Sequence, residues 1–244
     1  MVAAAPRVLS AFAFRSACFA AMLWMALWAE ARPAPSLPDA VLAVVPYVAW
    51  VDRYNYAVWV LAYVPVALGL LLSDVRRFCR YMVVSGLLAL ARGACIAATG
   101  LGPVRGPDAN AGMDLAARKQ AFFDLIDPLG LFGRGPAHVY LTKDLFFSGH
   151  TATTFLLLLY AWRFPRLRWP MLLGHAVVVA TVFLAHMHYT IDVFGAYAMA
   201  FAAYALAEWR PAATSSARVQ APEAEAPRTP PWASPPPRPP RGAS

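Results

Sequence analysis

Charged residues are scarce in this chain of 244 residues, since they make up only 14% of it against 60% hydrophobic residues. A soluble domain of this size carries roughly 25% charged residues. The mean hydropathy is positive as well. The deficit of charge therefore argues against a soluble globular protein and predicts an integral membrane protein.

Cysteine is also rare, and the chain contains only Cys18, Cys79 and Cys95. None of them belongs to a Cys-x-x-Cys pair, and each lies in or beside an apolar segment. A buried free cysteine behaves as a small apolar side chain. The sequence therefore predicts neither a disulfide framework nor a zinc site.

Acidic residues are outnumbered by basic ones, which gives a formal net charge of +8. The basic residues are spread over short loops and the C-terminal tail, and no nucleic-acid recognition motif accompanies them. This distribution predicts no nucleic-acid partner and fits membrane orientation instead. Nearly all of these residues are arginine, which is typical of a GC-rich genome and suggests a bacterial inner membrane protein.

Six apolar segments predict six transmembrane helices, because most of them approach the about 20 residues that cross a bilayer. The predicted fold class is all-α, a polytopic helical bundle. The last two segments are separated by little more than a histidine-containing stretch, so a tight turn is expected there. The segments cover approximately residues 8–29, 54–73, 78–100, 145–163, 169–187 and 189–208.

These segments divide the chain into three parts. Residues 1–35 contain the first apolar segment, and residues 36–209 contain the main membrane domain. Residues 210–244 form a tail rich in proline and arginine. Such a composition favours extended, unfolded chain. We therefore expect the tail to be disordered.

The first apolar segment has two interpretations. Arg7 and Arg15 precede an apolar stretch, and residues 29–31 resemble a small-x-small cleavage site, as in a signal peptide. The length of the segment and its tryptophan residues favour a retained transmembrane helix. Both interpretations give the later segments the same orientation.

Short arginine-rich loops predict that orientation. Arginines lie between the second and third segments and between the fourth and fifth, and short positive loops face the cytoplasm. His150, His188 and Asp192 then all fall on the extracytoplasmic side. We therefore expect a site that faces outside. The loop arginines are Arg76, Arg77, Arg80, Arg163, Arg166 and Arg168.

Two short stretches place ionisable groups at the ends of apolar segments. Residues 148–150, Ser-Gly-His, precede one apolar run, and residues 186–192 open another. Ionisable groups at membrane depth are costly and mark functional sites by default. His188 and Asp192 are four residues apart, so on a helix the carboxylate can reach and orient the imidazole. With His150 as a separate acid, this set predicts phosphoryl transfer through a phosphohistidine, without a metal or another cofactor.

Further candidates surround these three residues. Arg92 stands near the outer end of the third segment, where it is expected to pair with Asp144 or Asp39 or to bind a phosphate. Asp144 is expected to support the site, and an N-terminal helix position also favours a carboxylate. Ser148 is a candidate cap for the helix that begins near His150. Together with Tyr189, these residues are predicted to contact the substrate or to support the histidines.

His186 and His188 form a His-x-His pair, which is a pattern found among metal ligands. Residues two apart on a helix do not face each other, however, and no cysteine cluster lies nearby. The prediction is therefore that no metal is bound and that His186 has a supporting or interfacial place.

Four motifs stand in the order in which they occur in one family. Residues 37–39 read Leu-Pro-Asp, residues 92–93 read Arg-Gly, residues 148–151 read Ser-Gly-His-Thr, and residues 188–193 read His-Tyr-Thr-Ile-Asp-Val. Over about residues 36–208 the chain thus resembles the sphingomyelin synthase-like branch of the type 2 phosphatidic acid phosphatase (lipid phosphate phosphatase) superfamily.

The resemblance implies a role for each residue of the predicted site. His188 would attack phosphorus, Asp192 would hold its imidazole, and His150 would protonate the leaving oxygen and then act as base. Asp144 stands where the branch has an aspartate, although Thr142 and Lys143 replace the Cys-Gly that precedes it there.

The resemblance also implies membrane lipids as substrates. It predicts transfer of a phosphocholine or phosphoethanolamine head group to the hydroxyl of a ceramide or diacylglycerol. The same residues would serve a lipid phosphate phosphatase that uses water as acceptor, which is the alternative. A non-catalytic transporter or scramblase is the alternative from another class. The sequence does not determine the oligomeric state.

Overall fold

The computed structural model describes residues 5–126 and 141–209, so the predicted tail over 210–244 lies outside the described residues. The described part contains seven α-helices and no strand, which confirms the all-α prediction. The helices are α1 (Ala5–Glu30), α2 (Ala49–Ser73), α3 (Val75–Ala98), α4 (Leu115–Ile126), α5 (Gly149–Ala161), α6 (Pro165–Leu184) and α7 (Thr190–Glu208).

Five helices, α1, α2, α3, α6 and α7, are long and apolar enough to cross a membrane. The chain is therefore a multi-pass membrane protein that is embedded in the lipid bilayer. On these helices large apolar side chains point outwards, as with Leu72 and Leu206, which are 81% and 78% exposed. Lipid tails, rather than water, would stabilise such a surface.

The sixth predicted span is not confirmed, because α5 has only 13 residues. Contacts to the preceding backbone explain its late start. Arg92 binds the carbonyl oxygen of Phe147, and the carbonyl oxygen of Asp192 accepts the N–H of Ser148. At the other end, Phe164 is extended before Pro165, since proline disfavours a helical residue in front of it. The apolar run over 145–163 is thus longer than the helix that it forms.

The short helix α5 occupies the centre of the bundle, where it packs against α2, α3, α6 and α7. Its side chains Leu156, Leu157 and Tyr160 are fully buried. An apolar run can therefore mean a core helix as well as a span, and its length decides between the two.

α1 makes its most extensive helix contact with α3. Close approach of two membrane helices requires small residues between them. Gly86 of α3 meets this requirement, because a Cβ at this position would lie 3.2 Å from the Cα of Arg15. α1 thus contributes to the packing of the bundle, and cleavage after it would leave this face of α3 uncovered.

The arginines predicted in short loops lie mostly inside helices instead. α2 ends at Ser73. The carboxylate of the next residue, Asp74, accepts the N–H of Arg77 at 2.9 Å and so caps α3. Arg77 Nε in turn donates to the carbonyl oxygen of Tyr160 near the end of α5, at 2.7 Å. The start of α3 and the junction of α5 and α6 therefore meet, and we call this the arginine-rich end of the bundle.

Candidate active site

The first turn of α7 fixes the Asp192 side chain. Its Oδ2 accepts the backbone N–H of Tyr189, three residues earlier, at 2.9 Å. A carboxylate at this position of a helix normally reaches back in this way. The bond holds Asp192 beside His188, whose Nδ1 lies 3.5 Å from Oδ2, with both side chains buried.

The structure therefore places His188 next to Asp192, but not by the route predicted. His188 lies in the turn before Thr190, where α7 begins, so the two residues do not share a helix face. The pairing arises because residues 188 and 189 turn back over the N-terminal end of α7, where Asp192 accepts the N–H of Tyr189.

Asp39 closes the same end of α7 from a distant part of the chain. Its Oδ2 accepts the N–H of Thr190 at 2.6 Å, and its Oδ1 accepts the Thr190 hydroxyl at 2.9 Å. Burial raises the pKa of Asp39, but hydrogen bonds from Thr190, Leu42 and Val41 outweigh burial and lower the pKa below its ordinary value. Asp39 therefore binds Thr190. The alternative prediction, that Asp39 pairs with Arg92, is not what the structure shows.

Arg92 instead holds the segment that leads into α5. Its Nε donates to the carbonyl oxygen of Phe147 at 2.6 Å, and its Nη2 donates to that of Asp144 at 2.9 Å. Its Nη1 also forms an ion pair with Asp144 Oδ1 at 2.8 Å. A Cβ on Gly149 would lie 3.1 Å from Arg92 Cζ, so glycine permits this close approach. One guanidinium therefore sets the path of the Ser-Gly-His stretch.

Ser148 joins the two histidine-containing stretches. Its Oγ accepts the N–H of Thr151 and caps α5 as predicted, while its own N–H donates to the carbonyl oxygen of Asp192 at 3.0 Å. His150 follows in the first turn of α5, with its ring edge-to-face on Trp59 at 5.9 Å between centroids. The position of His150 is therefore tied to the helix that carries Asp192.

A single cavity of about 450 Å³ brings the main candidates together. Its wall includes His150, His188, Arg92 and Asp144. The other three predicted site residues, Asp192, Ser148 and Tyr189, are buried and do not belong to the described lining. They support the wall rather than form it.

Tyr189 connects loops behind this wall. Its hydroxyl accepts the N–H of Leu37 at 2.9 Å and lies within donating distance of the carbonyl oxygens of Gly102 and Pro103, at 3.1 and 3.3 Å. Tyr189 therefore ties the loop after α1 and the loop after α3 to the start of α7.

His186 forms the tight turn predicted between the last two apolar segments. Its φ of 50° lies in the left-handed region. Its N–H bonds the carbonyl oxygen of Phe183, and the next N–H, of Met187, bonds that of Val182. This is the Schellman ending of a helix, which usually has glycine at the left-handed position. The ring Nε2 lies 3.0 Å from the carbonyl oxygen of Val45.

Metal-ligating side chains do not gather in the part of the chain that the structure describes. Within residues 5–126 and 141–209 no group of three or more His, Cys, Asp or Glu side chains is placed to hold an ion.

The buried carboxylate of Glu30 was missed as part of the site by the prediction from sequence. It accepts the N–H of Lys143 at 2.5 Å, the Thr142 hydroxyl at 3.0 Å and the Asn110 amide at 2.7 Å. The Lys143 ammonium is buried as well and pairs with Asp108 at 2.5 Å. These contacts fix the chain directly before Asp144. The signal in the sequence was Lys143, a lysine beside an apolar segment.

Two more arginines line the cavity and were not predicted there. Arg105 stacks over the Tyr47 ring at 3.5 Å, and Arg15 projects from the middle of α1. In the sequence, Arg15 counted only as a flank of the first apolar segment. An arginine at the eleventh residue of a membrane helix is nevertheless a signal of function by itself.

A comparison with known protein families finds a match in the part of the chain that contains the candidate histidines. Residues 143–209 match the family model described as PAP2 superfamily C-terminal. The matched region begins at Lys143 and contains His150, His188 and Asp192. No curated protein matches the chain. The match supports the type 2 phosphatidic acid phosphatase superfamily, without distinguishing the sphingomyelin synthase-like branch within it.

Proposed function

We propose that this PAP2-like membrane protein is a metal-independent enzyme that transfers a phospho-head group from one membrane lipid to the hydroxyl of another. The observation that carries the proposal is the cavity shared by His150 and His188, with Asp192 directly behind His188. The resemblance noted in the sequence favours phosphocholine or phosphoethanolamine as the group and a ceramide or diacylglycerol as the acceptor.

In the first step His188 attacks phosphorus. Its Nδ1 lies 3.5 Å from Asp192 Oδ2, so an N–H at Nδ1 would point to the carboxylate and leave the lone pair of Nε2 free to form the N–P bond. The bond between phosphorus and the leaving lipid oxygen breaks, and His150 gives its proton to that oxygen. Asp192 stabilises the positive charge that develops on His188.

In the second step the acceptor hydroxyl replaces the histidine. His150, now neutral, removes the hydroxyl proton while the oxygen attacks phosphorus and the N–P bond breaks. The products are a new phospholipid and the free His188 imidazole. Arg92 keeps its positive charge on the cavity wall in both steps, where it offsets the negative charge of the phosphoryl oxygens.

An acceptor that stays in the membrane fits the lining of the cavity. The same wall includes apolar side chains of α1 and α3, among them Phe19, Leu23 and Leu88. Apolar walls with few polar groups suit a ligand that is mostly hydrocarbon.

A lipid phosphate phosphatase is the second candidate, favoured by the match to a superfamily named for phosphatases. Water would then take the place of the acceptor hydroxyl, with the first step unchanged. The experiment is to supply the reconstituted protein with a head-group-labelled phospholipid and a fluorescent ceramide or diacylglycerol. A labelled new phospholipid supports transfer, and released phosphate from a lipid phosphate supports hydrolysis. Neither product from a full donor panel would support a transporter or scramblase.

The proposed orientation places the cavity towards the outside of the membrane. Arg77 and Arg92 are fifteen residues apart on α3, or about 22 Å at the rise of an α-helix. The arginine-rich end therefore lies across most of a bilayer from the site and is proposed to face the cytoplasm. The proposal includes retention of α1, which supplies Glu30 to the site.

Cysteine labelling tests this orientation. In a variant that lacks the three native cysteines, Val44→Cys should react with a membrane-impermeant thiol reagent from outside, because Val44 is 80% exposed in the loop after α1. Arg163→Cys, at the arginine-rich end, should react only after permeabilisation. The opposite pattern would overturn the orientation.

A further inference from the structure

The cavity that contains both histidines extends between α1 and α3 as far as Arg15. We propose that Arg15 is a specificity-determining residue, whose guanidinium binds a carbonyl oxygen in the acyl linkage of the substrate lipid. The choice of ligand rests on the proposed function, because a lipid with its phosphorus at His188 would extend its acyl chains along this cavity.

The depth of Arg15 matches the linkage region of such a lipid. Arg15 Nε donates to Ser85 Oγ at 3.1 Å. Ser85 precedes Arg92 by seven residues on α3, which is about 10 Å along the helix axis. The ester or amide carbonyls of a membrane lipid are only a few bonds from its phosphorus. Arg15 therefore stands below the phosphoryl site, where the acyl chains begin.

The guanidinium of Arg15 has more hydrogen-bond donors than its contact with Ser85 uses. A guanidinium carries five N–H donors, and the contact to Ser85 uses one of them. No carboxylate forms an ion pair with Arg15 among residues 5–126 and 141–209. A charged group inside a membrane protein is costly unless polar partners compensate it. A ligand oxygen in the cavity would supply such a partner.

The surroundings favour a carbonyl over a second phosphate. Phe19 lies four residues after Arg15 on α1 and Leu88 lies three residues after Ser85 on α3, and both line the cavity. A strongly hydrated anion would lose its water against these apolar side chains. A carbonyl oxygen loses much less and still accepts a charge-assisted hydrogen bond. The acyl linkage, with one polar group between hydrocarbon segments, therefore fits this part of the wall.

The test compares a diacyl phosphatidylcholine with its dialkyl ether analogue, which has the same head group and chains but no carbonyls. Binding is measured as thermal stabilisation in mixed micelles, on full-length protein with His188→Ala so that no lipid is consumed. The diacyl lipid should bind about tenfold more tightly than the ether lipid, as expected for a hydrogen bond to a charged group. Arg15→Met should remove this preference by weakening only the diacyl lipid.

Two control variants make the result specific. Arg7→Met changes an exposed arginine on the same helix, which lies away from the cavity lining, and should keep the preference. Arg15→Lys should restore part of it, because an ammonium also donates. These variants also show whether loss of an arginine from α1 destabilises the protein in general.

Several results would overturn the proposal for Arg15. They are equal affinity for the two lipids with Arg15 present, a preference that survives Arg15→Met, and no binding of either lipid. A separate turnover assay with His188 intact tests the proposed function. Binding with the predicted preference but no turnover of any lipid would reject the enzyme and retain the Arg15 site.

Discussion

Arg77 and Arg92 lie on the same helix and are almost equally buried, at 5% and 7% exposure. Each donates its Nε to a backbone carbonyl of a neighbouring segment, at 2.7 and 2.6 Å. Arg77 otherwise faces the ring of Tyr160, whereas Arg92 faces the Asp144 carboxylate and the cavity. Burial and residue type therefore do not distinguish an arginine that holds the fold from one at a site. Its neighbours do.

The same contrast holds for carboxylates that cap helices. Asp74 caps α3 at the arginine-rich end, and Asp192 accepts a backbone N–H at the start of α7. Only Asp192 has a histidine beside it. Matched substitutions at the two ends of the bundle therefore separate structural from catalytic contributions.

The largest difference is expected between Asp192→Asn and Asp74→Asn. Asparagine at 192 can still accept the N–H of Tyr189, so the melting temperature should change little. It cannot stabilise the charged imidazole of His188, and turnover should fall on the order of 10⁴-fold, as in comparable triads. Asp74→Asn should leave turnover near the wild-type rate. Steady-state kinetics and thermal unfolding of both variants provide the check, and equal losses of turnover would remove the distinction.

A smaller loss is expected for Arg92→Met, of about 10²- to 10³-fold in turnover, because a charge on the cavity wall and the path of the Ser-Gly-His stretch are both lost. Arg77→Met should keep turnover within about twofold. It should instead lower the free energy of unfolding by about 1–3 kcal/mol, since the Tyr160 carbonyl loses its donor. If Arg77→Met removed activity from protein that remained folded, the comparison of the two arginines would fail.

The third comparison concerns Glu30 and Glu208. Glu30→Gln places an amide against the donors of Thr142 or Asn110, which shifts the chain before Asp144 and should reduce turnover about tenfold. Glu208→Gln disrupts an ion pair with the half-exposed Arg80 at the arginine-rich end and should change turnover little. The rates are compared at equal amounts of folded protein. A normal rate for Glu30→Gln would show that this cluster does not position the site.

The smallest effect is expected for Asp39, and it depends on pH. Its pKa is lowered in the folded protein, so its contribution to stability is present above pH about 4 and is lost as the pH falls through the lowered pKa. Asp39→Asn should therefore be less stable than the wild type at neutral pH, and the difference should shrink in acid. Melting temperatures from pH 7 downwards measure it. A difference that is constant with pH would assign no role to the charge of Asp39.

The sequence predicted those parts of the site that depend on local spacing. A separation of four positions between His188 and Asp192 is enough for contact in a helix or in a turn that enters one. The pairing was therefore predicted, although its geometry was wrong. The cap of α5 by Ser148 is local in the same sense. The turn at His186 was expected from the short distance between two apolar segments.

The parts that could not be predicted depend on contacts between distant segments. Thr190 donates a hydrogen bond to Asp39, which lies 151 positions away in the sequence, and Lys143 donates one to Glu30, which lies 113 positions away. The short length of α5 has the same cause, because Arg92 binds the backbone before it. Hydropathy alone shows only that residues 145–163 are apolar. It does not show that Arg92 of α3 and Asp192 of α7 hold the backbone of the first of these residues outside the helix.

The central claim is that His188 carries the phosphoryl group and His150 carries the proton. It is tested most directly by trapping radiolabel on the protein from a nitrophenyl phosphate ester, whose good leaving group needs no proton donor. Label should accumulate on His150→Ala and be absent from His188→Ala. Label on His188→Ala but not on His150→Ala would contradict this assignment.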